Sequence, residues 1–362
     1  MKFIFNTQTK WDEPPRARHQ LAKALAPKHE IIFVSANKIG QPKIESEIVD
    51  DGIKLYQPSF PINHKIVFRI PILNEIYQNW LFKSLSLESN IIVINFVPTA
   101  TQIFKYYKNI IYYANDNFLD KVRSGNLLIS IYYRITQRIV AQRSLICIGV
   151  SKFIVNSLKK YNKDSYKILT ATDNDLIQSH NTAMFHNTEK INITYVGWMK
   201  KINMDWVIEL SKKINYSISL IGPFRKHHEE KLSHHNNIKL LGPLSGQALK
   251  EYLEKTDVFI APYIIGLDTE YVYEMPNKFW LYIGSGKPIV TCQIKKILQL
   301  PAGFVYQAKN KSDFIKQIDR AYKEDSNETR KQRMEFIKKN TWNNRAEEIV
   351  NIINSLNKKG NL

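Results

Sequence analysis

The stretch Asp257-Val-Phe-Ile-Ala-Pro-Tyr263, followed by Met275-Pro-Asn-Lys278-Phe-Trp-Leu-Tyr-Ile-Gly-Ser-Gly286-Lys-Pro-Ile-Val-Thr291, decides the fold. It reads as a buried strand, a polar loop, a helix opened by proline, a glycine turn and a second buried strand. Short β-branched runs joined through a helix indicate parallel strands covered on both faces. In a doubly wound sheet, ligands sit beyond the carboxyl ends of the strands, where helix N-termini favour phosphate. Pro276 suits the first helical position and Lys278 falls in the first turn as a counter-charge. Tyr263 ends a strand and can stack on a ring, while Gly284 and Gly286 let the chain return tightly towards Pro288. The competing account is a structural helix whose Lys278 is solvated.

Outward from this stretch the same alternation continues. Strands are expected at Ile191–Val196, Ser217–Gly222, Ile238–Leu241, Asp257–Pro262, Pro288–Thr291 and Phe304–Gln307. Helices are expected at Met204–Ile214, Gly246–Lys255, Asn277–Ile283 and Lys311–Tyr322. The first half repeats the pattern, with strands at Lys2–Asn6, Glu30–Ser35, Ile91–Val97, Ile110–Ala114 and Ser144–Val150 and a helix at Arg16–Ala26. A polar stretch from Tyr161 to Lys190 interrupts the periodicity. Residues 1–165 and 191–340 are therefore expected to form two Rossmann-like α/β domains facing a central cleft, with a linker over 166–190. The amphipathic segment 341–362 is expected to be a helix that closes the chain.

With 362 residues, an apolar fraction of 44% and 12% aromatics, the chain can bury two ordinary cores. Cys147 and Cys292 lie in apolar runs and read as packing, which suits a reducing cytoplasm. No run approaches the length of a membrane span, and the apolar start is too short for a signal peptide. The net charge of +19 asks for an anionic partner. Basic residues are spread along the chain and no zinc-finger or RNA-binding signature appears, which excludes nucleic acid and favours an anionic membrane or substrate. Pro61–Leu87 alternates aliphatic and aromatic residues with Lys65, Arg69 and Lys83. It reads either as an interfacial amphipathic segment or as a helix packed on the first sheet.

Further candidates cluster at strand ends. Gly197 and Lys200 follow the strand at 191–196, with Lys201 beside them. Gly222-Pro223 and Gly242-Pro243-Leu244-Ser245 place glycine after strands, where a base or ribose approaches the backbone; singly, each is a turn signal. In the first half, Arg16, Arg18 and His19 fall in the first helical turn, and His19 is a candidate general base because imidazole titrates near neutrality. A capped helix start with solvated cations is the alternative. Asp116 follows the strand at 110–114 and is placed to deprotonate an acceptor hydroxyl, with Asp120 nearby; a helix N-cap is its ordinary use. Asp173-Asn174-Asp175 resembles a metal-binding pair but lacks a supporting strand. His227-His228 and His234-His235 read as a solvated helix.

Taken together, the runs at Asp257–Tyr263 and Pro276–Val290 resemble bacterial GT-B glycosyltransferases of the family-4 type. So do Glu13-Pro-Pro-Arg-Ala-Arg-His-Gln and Gly149-Val-Ser-Lys-Phe153, which resemble transferases of capsule, teichuronic-acid and exopolysaccharide assembly. The expected helix over 341–362 matches the GT-B habit of crossing back onto the N-terminal domain. Many such enzymes carry a ribose-binding Glu where this chain has Leu281, and the partner Glu of that motif falls at Tyr273, beside Glu274. The Tyr263–Lys278 spacing is also similar to the membrane-associated glucuronosyltransferase of xanthan assembly. That resemblance implies diphosphate contacts from Tyr263 and Lys278, a uracil-holding loop at Gly242–Ser245, and Asp116 as the catalytic acid residue.

The expected protein is a transferase moving a sugar from a nucleotide-diphosphate donor to a saccharide acceptor, lipid-linked, in surface polysaccharide biosynthesis. Its expected donor side comprises Gly197, Lys200, Gly222, Leu244, Tyr263, Pro276, Asn277, Lys278 and Leu281. Asp116 or His19 serves catalysis, and Arg16 and Arg18 lie on the acceptor side. No metal and no cofactor is required beyond the nucleotide sugar, and the location is the inner face of the plasma membrane. A non-catalytic scaffold on the same fold is one alternative. A Rossmann-type epimerase or dehydrogenase is another, although Asn6–Arg16 lacks the glycines it needs.

Overall fold

A computed structural model of the protein describes residues 1–13, 15–85, 91–116, 127–172, 190–264, 274–294 and 297–358. Asp120, Tyr273 and the Asp173-Asn174-Asp175 triplet lie outside these residues. The chain divides into two compact units, Met1–Thr170 with Trp342–Leu362, and Ala171–Thr341.

The first unit holds the strands β1 (Lys2–Asn6), β2 (Glu30–Val34), β3 (Lys38–Ile39), β4 (Lys43–Ile48), β5 (Lys54–Phe60), β6 (Ile92–Asn95), β7 (Asn109–Ala114), β8 (Ile146–Gly149) and β9 (Ser165–Lys167). Their order is β3-β5-β2-β1-β6-β7-β8-β9, and every pair on that path is parallel. Sequence order runs outward in opposite directions from β1 and β6, so the topological switch point lies between them. The two strands are joined at that point by a buried hydrogen bond from Asn6 Nδ2 to Asn95 Oδ1 at 2.8 Å.

Two features differ from expectation. Residues 43–60 form an antiparallel hairpin, β4 on β5, around the left-handed Asp51 and Gly52. Its strand β4 is mostly exposed, so it lacks the continuous apolar run that marked the other strands. β9 pairs with β8 and carries the first unit past residue 165 to Thr170. The strand-like run Tyr166–Thr170 therefore belongs to the first unit and not to the linker.

The second unit holds β10 (Ile191–Val196), β11 (Tyr216–Ile221), β12 (Ile238–Gly242), β13 (Val258–Ala261), β14 (Ile289–Cys292) and β15 (Val305–Ala308). All are parallel in the order β12-β11-β10-β13-β14-β15. The switch point is therefore between β10 and β13. The helix Asn277–Gly284 crosses from β13 to β14, burying Phe279, Trp280, Tyr282 and Ile283. Beneath it, the helix Asn327–Lys338 is fastened by a buried ion-pair cluster. The Arg333 guanidinium bonds Asp325 Oδ1 at 2.6 Å and the carbonyls of Gly286 and Gly303, and Arg330 bonds Asp325 Oδ2 at 2.9 Å. Removing one partner would strand a buried charge, so the cluster locks the turn that follows the Asn277–Gly284 helix.

The final helix, Trp342–Lys358, returns to the first unit and packs against the Ala17–Leu25 helix. Its buried face of Trp342, Ala346, Ile349, Ile353 and Leu356 follows helical periodicity. Among the described residues no helix is long and apolar enough to cross a membrane.

Candidate functional site

Three neighbouring strands of the second sheet end on glycine. Gly197, Gly222 and Gly242 follow or close β10, β11 and β12, and the backbone steps across them through Gly197 N–H to the Ile221 carbonyl (2.8 Å) and Gly222 N–H to the Gly242 carbonyl (2.7 Å). Gly197 and Gly222 have φ of 144° and 131°, a region side chains rarely enter. A Cβ on Gly222 would lie 2.2 Å from the Gly197 carbonyl oxygen. The result is a low, side-chain-free shelf along the carboxyl edge of three strands, which neither Gly-Pro turn signalled when read alone.

Lys278 stands at the end of this shelf. Its ammonium donates to the Tyr195 hydroxyl at 2.7 Å and lies 4.0 Å from the centre of the Tyr195 ring and 5.1 Å from that of Tyr263. The side chain as a whole is half-buried, and its charged end is the enclosed part. Burial pushes its pKa well below the ordinary lysine value, and the positive charge of Lys201 adds to the shift. Among the described residues no carboxylate opposes it. A Cβ on Gly197 would meet Lys278 Nζ at 2.6 Å, so glycine there makes room for the ammonium. Tyr263 is itself nearly buried, held by Asn203 N–H to the Pro262 carbonyl and Ile264 N–H to the Lys201 carbonyl.

The helix behind this lysine starts at Asn277 as expected, but Pro276 caps it and is not its first residue. Pro276 is its N-cap with ψ of 135°, Asn277 is the exposed first residue and Lys278 the second. Proline's restricted φ serves the cap as readily as the first helical position. Tyr282, one turn on from Lys278, stitches this helix to the switch point. Its hydroxyl accepts from Val196 N–H at 2.8 Å and donates to the Val196 carbonyl at 3.1 Å, while its ring stacks on Phe259 at 4.1 Å. Leu281 and Leu244 are half-buried. Lys200 is exposed and lies over the Trp198 ring at 5.6 Å, so Lys201 is the cation of that loop felt at Lys278. Gly286, at φ 73°, makes the glycine turn, whereas Gly284 is still helical.

At the carboxyl edge of the first sheet, His19 does not have the environment of a general base. It is 2% exposed, its Nδ1 accepts the Arg16 N–H at 3.0 Å, and its Nε2 donates to the Lys10 carbonyl at 2.9 Å. The ring stacks on Phe33 and meets Trp11 edge-on, and burial lowers its pKa. Both nitrogens are thus committed to closing the helix start. His228 does the same for Arg225 N–H at 3.0 Å, so that histidine is buried and not solvated as expected. Arg-x-x-His at two helix starts was a legible signal for this capping role.

Arg16 is exposed and paired with Glu13 at 2.8 Å. Arg18 turns inward, 5.7 Å from the Phe96 ring centre, and its Nε is buried without a hydrogen-bond partner. Burial lowers its pKa to about 10, reinforced by Arg16 and opposed by Glu13 and Asp116. Asp116 is half-buried just beyond β7, and its carbonyl accepts from Gln137 Nε2 at 3.1 Å. Gln8 Nε2 and Asn115 Oδ1, beyond the ends of β1 and β7, are likewise buried without partners. Among the described residues no three His, Cys, Asp or Glu side chains are grouped to hold a metal.

Residues 190–324, within the second unit, match the family model described as glycosyl transferases group 1. No curated protein matches the sequence. Among solved structures, sucrose-phosphate synthase from Thermosynechococcus elongatus is similar with a TM-score of 0.72 at 10% identity, over 99% of each chain. Anabaena HepE, solved in complex with UDP and glucose, is similar at 0.65 and 12% identity, over 98% of this chain and 100% of that one. The lipopolysaccharide outer core galactosyltransferase WaaB is similar at 0.61 and 13% identity, over 98% of this chain and 99% of that one. The matched domain makes the chain a glycosyltransferase, and the structural likeness, at these identities, shows its GT-B fold.

Proposed function

We propose that the second unit binds a nucleotide-diphosphate sugar, with the nucleoside along the Gly197–Gly222–Gly242 shelf and the diphosphate against Lys278. The observation that carries this reading is the Lys278 ammonium, enclosed between two tyrosine rings with a second cation nearby and, among the described residues, no acid to neutralise it. Burying a cation in this way is costly, and an anionic ligand offsets that cost. Lys278, Lys201 and the first-turn N–H groups of its helix then stabilise the diphosphate as it leaves, without a metal ion. Uridine is the first nucleotide to test, because Anabaena HepE was solved with UDP.

The first unit would hold a saccharide acceptor. Gln8 Nε2, Asn115 Oδ1 and Arg18 Nε are buried polar atoms that a hydroxyl-rich ligand would satisfy. Asp116 would take the proton from the attacking hydroxyl, since among the described residues it is the carboxylate just beyond β7 and His19 is engaged elsewhere. A lipid-linked acceptor, in surface polysaccharide assembly at the cytoplasmic face of the plasma membrane, suits the +19 charge.

Titration calorimetry with UDP, GDP and ADP, and with UDP-sugars, tests the donor assignment. The parent chain should bind one of these nucleotides and Lys278→Ala should weaken that binding by about 1.5–3 kcal/mol. Equal affinity of the two proteins would remove Lys278 from the donor site. Absence of binding to every nucleotide would favour a non-catalytic scaffold.

A further inference from the structure

Residues 61–85 pack on the first sheet along one side and expose apolar side chains along the other. One side of the His64–Val67 and Pro71–Ser84 helices is core, with Val67, Phe68, Tyr77, Leu81 and Phe82 buried against β1, β2 and β6. The other side exposes Ile66, Ile70, Ile72 and Ile76. The helix Leu127–Arg143 lies alongside, joined through Asn74 Nδ2 to the Tyr132 hydroxyl at 2.6 Å, with Arg69 acting on Tyr133. It exposes Leu127, Leu128, Ile131 and Ile135. Residues 127, 131 and 135 recur every four positions and form one stripe. Eight of the fourteen exposed large apolar side chains described thus fall on these neighbouring helices, which is clustering and not ordinary scatter.

The charges of these two segments are one-sided. Residues 61–85 and 127–143 carry six Lys or Arg (Lys65, Arg69, Lys83, Arg134, Arg138 and Arg143) against the single acid Glu75. Apolar side chains ringed by cations complement a lipid interface of negative charge. A second copy of the chain would bring the same cations against themselves in a two-fold contact, which disfavours it.

We propose that the face built from the Pro71–Ser84 and Leu127–Arg143 helices, with Ile66 and Ile70 at its margin, docks the first unit on an anionic membrane. The biological purpose of this surface rests on the lipid-linked acceptor proposed above, but its measurement does not. The isoleucines enter the headgroup boundary while Lys65, Arg69 and the helix arginines meet lipid phosphates.

Sedimentation of the full chain with phosphatidylcholine vesicles, with and without phosphatidylglycerol, tests this across a salt series. The chain should pellet with the anionic vesicles and be released by salt. The exposed pair Ile72→Ser and Ile131→Ser should lower partition by roughly tenfold per side chain while leaving the circular dichroism spectrum intact. Lys65→Glu with Arg69→Glu should weaken anionic binding and flatten its salt dependence. Unchanged partition of the serine variant, equal binding to neutral vesicles, or a solution dimer dissolved by the same substitutions would each overturn the proposal. Nucleotide binding by calorimetry is read separately. Its persistence in a chain that ignores vesicles removes only the docking face, and its loss in a chain that still binds them removes only the donor site.

Discussion

The Lys278 ammonium donates to the Tyr195 hydroxyl at 2.7 Å and sits 4.0 Å from the centre of the same ring. Tyr195 is fully buried near the end of the central strand β10, while Lys278 opens the helix that crosses from β13 to β14. The contact therefore spans the switch point of the second sheet. It also positions a cation whose charge is only partly satisfied, since a phenol is a neutral acceptor and ring faces attract cations weakly.

Protonation of Lys278 should govern donor affinity. Its pKa is depressed by burial, so the charged form that binds diphosphate is lost as pH rises through a value well below 10.5, and affinity should fall there with proton uptake on binding. For the unliganded protein the unfolded chain holds the extra proton in that window, so this group makes stability rise with pH up to the ordinary lysine value. Calorimetry in buffers of different ionisation heat across the alkaline range measures the uptake. Lys278→Arg, which stays charged, should give weaker but pH-independent binding.

Gly222→Ala should be among the most damaging small substitutions. Its Cβ would lie 2.2 Å from the Gly197 carbonyl oxygen at a backbone φ of 131°, and both insults act together. We expect a loss of about 3 kcal/mol in urea unfolding together with loss of nucleotide binding. A variant as stable as the parent would contradict the shelf geometry.

Tyr282→Phe should separate the lysine helix from the switch point without emptying the core. It deletes the hydroxyl that pairs with both the N–H and the carbonyl of Val196. A cost of about 1–3 kcal/mol in stability is expected, because those backbone groups are left unpaired. Donor affinity should drop several-fold as Lys278 loses its fixed position, read by calorimetry.

His19 should behave as a structural group. Its folded pKa is lowered, so it favours the neutral form. The stability it contributes is present above the unfolded value of 6.5 and is lost as pH falls towards the folded value. His19→Ala should destabilise by about 1 kcal/mol through the lost cap and should flatten this part of the pH–stability curve. Sugar transfer per folded molecule should remain; a loss of several orders of magnitude in kcat at unchanged stability would restore His19 as a base.

Asp116→Asn should lower kcat by about 10²–10⁴-fold while nucleotide binding stays near the parent value. The substitution preserves shape and keeps the Gln137 contact, which is to the Asp116 backbone carbonyl. Equal loss of nucleotide affinity would show that the residue acts through structure.

Much of this protein was determined by local sequence alone. Strand identity followed from short β-branched runs such as Ile191–Val196 and Val258–Ala261, because parallel strands covered on both faces tolerate little else. The phosphate-facing role suggested for Lys278 followed from its place just after Pro276 at a helix start. Tertiary structure decided the rest, because it depends on what distant residues bring together. Only the β10–β13 adjacency puts Tyr195 and Tyr263 around the lysine, and only the stepped ends of three strands turn separate glycines into one shelf. Folding buries His19 and engages both its nitrogens, an arrangement invisible in a sequence where histidine at a helix start has the same letters whether its nitrogens are open or engaged. The same holds for the helices at 71–84 and 127–143. Their apolar residues look alike in sequence, and only the packing of one face against the sheet leaves the other exposed.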